Sequence, residues 1–255
     1  MKMTRKLIPA FVMLIVSAIM LSTASFAWLA ESTSVSAGPM TVKANTDVVF
    51  MQISNDQNNW GRSAIATTTE SGNLNLVTPK SGSENGLTIT DGKVTWQTGN
   101  GKDPDKPDVD GALTDVSAGD VNNYVLANTF YIKMSNEASK LYNLKLSGVA
   151  LAEGDEIAAE TFDESLRVLA VAKDAGSKIL GVQCWDLGAK GELKKDGTKV
   201  FGDKLADEVT GDAITVDVYV YYDGNDEYAF TDKLITSEKA GRQITVSFSA
   251  DKSAS

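Results

Sequence analysis

Hydrophobic and polar positions alternate along much of this chain with the two-residue period of a half-buried strand. The alternation is cleanest in Ala213–Tyr222, where Ile214, Val216, Val218, Val220 and Tyr222 fall on one face, and in Gln243–Ala250, with Ile244, Val246, Phe248 and Ala250. Tyr124–Met134 alternates around Phe130 and Ile132, and Leu141–Val149 through Leu144, Leu146 and Gly148. Leu166–Ala172 is instead continuously apolar apart from Arg167, the pattern of a central strand covered on both faces. Shorter strand-like pieces lie at Val48–Ile53, Leu74–Val77, Leu87–Thr90 and Lys93–Gln97. Asp91-Gly92 between the last two predicts a hairpin with a type I′ turn. One stretch, Asp155–Leu166, has acids in its first turn and predicts a helix. Many short strands with turn residues between them predict a β-sandwich or jelly roll.

Two segments break this pattern. Residues 55–111 are rich in Asn, Gly, Ser and Thr and read as a long insertion, in which 99–111 has no apolar period and reads as an exposed loop or hinge. At the other extreme, Leu7–Ala30 carries no charge and follows Lys2, Arg5 and Lys6. A basic start and an uncharged run are the signature of a signal peptide or a membrane anchor. Small residues at Ser25 and Ala27 predict cleavage before Trp28, by a signal peptidase. An uncleaved leader would be the chain's one link to a membrane, since about 20 apolar residues suffice to span it.

Composition removes whole classes of chemistry. Among 255 residues there is no histidine and a single cysteine, Cys184. Histidine-dependent triads, cysteine zinc sites and intrachain disulfides are therefore excluded. With 24 basic and 34 acidic residues the net charge is −10, which lacks the footprint of a nucleic-acid binder. The expectation is a secreted or extracellular protein that is not an enzyme and needs no cofactor.

The segment following the leader carries a resemblance. Thr23-Ala24-Ser25-Phe26-Ala27-Trp28-Leu29-Ala30-Glu31, then Ser34-Val35-Ser36-Ala37-Gly38-Pro39-Met40-Thr41-Val42-Lys43-Ala44, resembles exported Gram-positive proteins with SipW-dependent-type signals, the TasA-like biofilm matrix fibre proteins and the camelysins. Asp115-Val116-Ser117-Ala118-Gly119-Asp120 and the closing strand Ile244–Ala250 are similar to further segments of that family, while Leu29 and Ala118 depart from it. The resemblance implies a jelly-roll-like antiparallel β-sandwich with one or two short helices, preceded by a hydrophobic signal helix. It also implies that the extended segment 28–44 is a donor strand docking into a sister molecule, with Trp28, Leu29, Val35 and Ala37 as the self-assembly residues. On this reading residues 1–27 are the signal peptide or anchor and 45–255 the sandwich. The partner is another copy of the chain, in a homo-oligomer or filament at the cell surface or in a biofilm matrix. The metalloprotease activity ascribed to camelysins is not carried over, because no histidine ligand exists.

Other candidate chemistry is sparse. Asp223-Gly224-Asn225-Asp226-Glu227 brings Asp223, Asp226 and Glu227 together as Ca²⁺ candidates, although Asp-Gly and Gly-Asn are also ordinary turn chemistry. Trp60, Trp96 and Trp185 are candidates for a sugar-stacking platform in a monomeric surface binding module or adhesin, the alternative function; Trp96, within Val94-Thr95-Trp96, reads more simply as core. Cys184 reads as a small buried hydrophobe.

Overall fold

The computed structural model describes residues 41–45, 51–68, 74–84, 86–98, 102–103, 106–110, 113–136, 139–152, 157, 161–188, 192–193, 202–226, 228–229 and 243–252. The first strands are β1 (Thr41–Asn45), β2 (Met51–Ser54) and β3 (Ser63–Ile65). Short pieces follow: β4 (Thr78–Pro79), β5 (Ser81–Glu84), β6 (Ile89–Thr90), β7 (Lys93–Val94), β8 (Trp96–Thr98), β9 (Lys102–Asp103), β10 (Lys106–Asp110) and β11 (Thr114–Asp115). The long strands are β12 (Val125–Met134), β13 (Leu141–Leu151), β14 (Leu166–Lys173) and β15 (Ile179–Asp186), then β16 (Glu192–Leu193), β17 (Ala206–Val209), β18 (Ile214–Tyr222) and β19 (Ile244–Asp251).

The chain is mainly β, as the alternation predicts. Two sheets face each other: one in the order β17-β13-β19-β1-β3, the other β16-β15-β14-β18-β12-β2. Between them lies a core to which Ile214, Val216, Val218, Val220 and Tyr222 of β18 contribute the face read from the sequence. Phe130 and Ile132 of β12, Leu144 and Leu146 of β13, and Ile244, Val246 and Phe248 of β19 meet them there. Burial of such side chains stabilises the fold by about 1.5–3 kcal/mol each. β13 is kinked by register shifts between Tyr142 and Lys145 and between Leu146 and Gly148. At the second shift the Leu146 N–H donates to Gln183 Oε1 of β15, 2.6 Å away, so a fully buried side chain links the two sheets.

The six-stranded sheet is covered on its other side as well. Val77, Leu87, Val94 and Trp96, all from the polar insertion, pack on Leu169, Val171, Val182, Cys184, Tyr219 and Tyr221. This explains the unbroken apolar run of β14, whose residues 166–172 are all buried. The hairpin β6–β7 pairs Ile89 with Val94 and Thr90 with Lys93. Its turn residues Asp91 and Gly92 have φ of 52° and 71°, the left-handed pair that a type I′ turn requires.

Three expectations need correction. Across the predicted helix 155–166, residues 153–156 and 158–160 lie outside the described residues; Phe162–Ser165 is a 3₁₀ turn, and Leu166 already belongs to β14. Pairing of β14 with β18, Leu166 opposite Tyr222, fixes Leu166 in extended backbone, which overrides the helical signal of the preceding acids. Among the described residues the helical pieces are two 3₁₀ turns. The sandwich is also not purely antiparallel, because β1 runs parallel to β19, from Thr41 opposite Thr245 to Asn45 opposite Ser249. No hairpin joins these two strands, so nothing forces them antiparallel. Finally, the stretch 99–111 contains paired backbone, β9 against β10, where an exposed loop was expected.

Candidate functional site

The outer face of β14 carries two ionic clusters, one at each end. Arg167 and Lys173 lie six residues apart on one face, roughly 20 Å along a strand. The apolar patch of the outer core fills the space between them.

Arg167 is 3% exposed. Its Nη1 meets Asp186 Oδ1 at 2.8 Å, and its Nη2 contacts Asp226 Oδ2. Nη1 also donates to the carbonyls of Glu164 (2.5 Å) and Leu166 (3.1 Å). Asp186 is placed by the register of β15, directly opposite Arg167. Asp226 is placed by the turn after β18, where the Asp226 N–H donates to the Asp223 carbonyl and the Asn225 N–H to Asp223 Oδ1. The insertion locks this turn: Val77 N–H donates to the Tyr222 carbonyl, Gly224 N–H to the Val77 carbonyl, and Asn225 Nδ2 to Thr78 Oγ1. Gly188 presses on the same spot; a Cβ there would lie 2.3 Å from the Glu164 carbonyl oxygen that Arg167 uses. Burial opposes the Arg167 charge, yet Asp186, Asp226 and Asp223 together outweigh it and hold its pKa above the ordinary value. Burial pushes the Asp226 carboxyl upward, against the Tyr228 N–H and Arg167, which favour its charged form.

At the other end, Lys173 Nζ contacts Asp217 Oδ2 and donates to the Gly92 carbonyl at 2.9 Å. Thr129 Oγ1 donates to Asp217 Oδ1 at 2.8 Å, and the Tyr219 hydroxyl to Oδ2 at 3.3 Å. Thr129, Asp217 and Lys173 come from β12, β18 and β14, which are neighbours in the sheet. Burial first, then the Asp217 charge, raises the Tyr219 pKa well above the ordinary phenol value.

The Ca²⁺ candidates Asp223 and Asp226 are thus brought together, but around a guanidinium and within a hydrogen-bonded turn; Glu227 lies outside the described residues. Among the described residues no group of three or more acidic or thiol side chains is arranged to hold a metal. No family model, curated protein or solved structure matches this chain.

The three tryptophans sit in different places. Trp96 is 1% exposed in the outer core, its ring 5.5 Å from that of Tyr219 and 4.9 Å from that of Tyr221. Trp185 packs half-buried against the inner core. Trp60 sits in the loop after β2, donating to the Gln57 carbonyl at 2.8 Å, with Lys133 Nζ 4.1 Å from its ring centre. That loop is fastened by Asp56, which accepts from the N–H groups of Asn59 and Asn58; these bonds hold its carboxyl well below the usual carboxylate range. Cys184 is buried in the outer core, as its apolar neighbours predict.

Ser25, Ala27, Trp28, Leu29, Val35 and Ala37 lie outside the described residues. The strand that follows them, β1, lies inside a sheet, between β19 and the three-residue β3. Ile65 of β3 is 64% exposed. Sequence reasoning missed Arg167, Lys173 and Asp217, because a charge in a strand reads as a solvent-facing position; the continuous burial of β14 was the available hint.

Proposed function

We propose that this chain is an exported structural protein of the cell surface or biofilm matrix, a jelly-roll-like subunit that assembles into filaments through its N-terminal segment. The observation that carries the reading is the position of β1. Thr41–Asn45 is a five-residue ladder parallel to β19, with a short strand on its other side. A strand held by so few main-chain bonds, at the end of a long polar lead-in, is replaceable in the same register by the same segment of a sister molecule. Such an exchange supplies the hydrogen-bonding groups of β19 with partners in either case. A head-to-tail exchange does not close on itself, so it propagates. The basic start and uncharged run of residues 1–30 support export.

The position of β1 also defines the test. A chain beginning at Trp28 is expected to form filaments visible by electron microscopy, and a chain beginning at Asn45, which lacks nearly all of the exchanged strand β1, to remain monomeric. Equal assembly by both would discard exchange of the leading segment.

A further inference from the structure

We propose that Lys173 and Asp217 are joined by an intramolecular amide bond, a covalent cross-link between β14 and β18. Among the described residues the other lysine–carboxylate pairs, Lys80–Asp115, Lys140–Glu208, Lys145–Asp251 and Lys204–Asp207, lie in water, with each side chain at least 36% exposed. Lys173 and Asp217 are 12% and 9% exposed. The register brings them together: Lys173 pairs with Thr215 and Val171 with Asp217, so the two side chains are diagonal neighbours on one face.

The surroundings suit condensation. The amine nitrogen sits on Oδ2, one covalent bond from the carbon it would attack, and the Gly92 carbonyl fixes it from a second direction. Holding nucleophile and electrophile in contact replaces an encounter that water would make rare. The step that frees the amine lone pair is transfer of one ammonium proton to Asp217 Oδ2, the oxygen it touches. The amine then attacks Cγ. Thr129 and Tyr219 each direct a hydroxyl at one Asp217 oxygen, and so stabilise the negative charge that develops in the tetrahedral adduct. Tyr219, whose phenol burial keeps protonated, is placed to pass a proton to the departing oxygen. One N–C bond forms and one C–O bond breaks. Of the three ammonium hydrogens one stays on nitrogen and two leave with the oxygen as water, so no oxidant or co-reactant is required. The bond would close a covalent ring across a sequence separation of 44 residues. Arg167 is no counterpart, because its delocalised guanidinium is a poor nucleophile.

Mass spectrometry of the purified full chain tests this directly, independently of whether it assembles. Under denaturing conditions the intact mass is expected to fall one water below that of the same polypeptide, and trypsin is expected to skip Lys173 and release a branched peptide containing both residues. Lys173→Arg is expected to restore the missing water. An unmodified mass with normal cleavage after Lys173 overturns the proposal, as does a deficit that persists in Lys173→Arg. Because the unaltered protein supplies the deciding measurement, poor folding of the variant does not blunt the test.

Discussion

Arg167→Ala is expected to lower the folding free energy by about 3–5 kcal/mol, as removal of one partner from a buried ion cluster does. The arginine is buried with Asp186 and Asp226 on its guanidinium and two carbonyls on Nη1. Without it, two carboxylates remain in a dry site facing each other and Asp223. The loss should depend on pH in a definite direction. Burial already raises the Asp226 pKa, and deletion of the guanidinium raises it further. A carboxyl whose folded pKa lies above its unfolded value binds more protons in the folded state, so stability falls as pH rises from about 4 toward neutrality. Urea denaturation of the variant and the parent should therefore show a gap that is smaller near pH 4.5 than at pH 8. A gap that is constant with pH, or below about 1 kcal/mol throughout, would mean that Arg167 contributes packing and little else.

Trp96→Ala is expected to cost a comparable amount, about 3–5 kcal/mol, through the cavity left in the outer core. The ring packs edge-on against both Tyr219 and Tyr221, and the insertion has few other large side chains with which to compensate. Its Nε1 is buried without a hydrogen-bond partner among the described residues, so the substitution breaks no polar bond and the cost is one of packing. The insertion joins the sandwich through the outer face of β14 and β18, so the damage should start there. Limited proteolysis is expected to cut within 74–98 while the sandwich remains folded. Cleavage that appears only together with global unfolding would instead show that both cores melt as one unit.

The sequence displayed the inner core because one face of each long strand is uniformly apolar: Ile214 to Tyr222 in β18 and Ile244 to Phe248 in β19 read directly as what they bury. Asp91-Gly92 was legible for a different reason, since few residues tolerate the positive φ its turn demands. The outer core was hidden. Val77, Leu87, Val94 and Trp96 are scattered through a polar segment, a few per short strand, with no period to betray a common target. Their target was disguised too, because Asp217, Tyr219 and Tyr221 look like the wet side of an alternating strand. Asp223 and Asp226 were singled out by spacing as oxygen ligands, but their counter-ion lies 59 residues from Asp226 in sequence, a pairing that only the register of β14 and β18 creates.

The parallel placement of β1 has a mechanical consequence. The leading end of β1 and the trailing end of β19 lie at opposite ends of one ladder, from Thr41–Thr245 to Asn45–Ser249. Tension applied through those two ends drags the strands past each other in shear, so the rungs share the load and must yield together. Had the strands been antiparallel, the same pull would peel the rungs apart one at a time. A fibre strung through this joint would therefore resist stretching along its axis, whichever molecule supplies the strand.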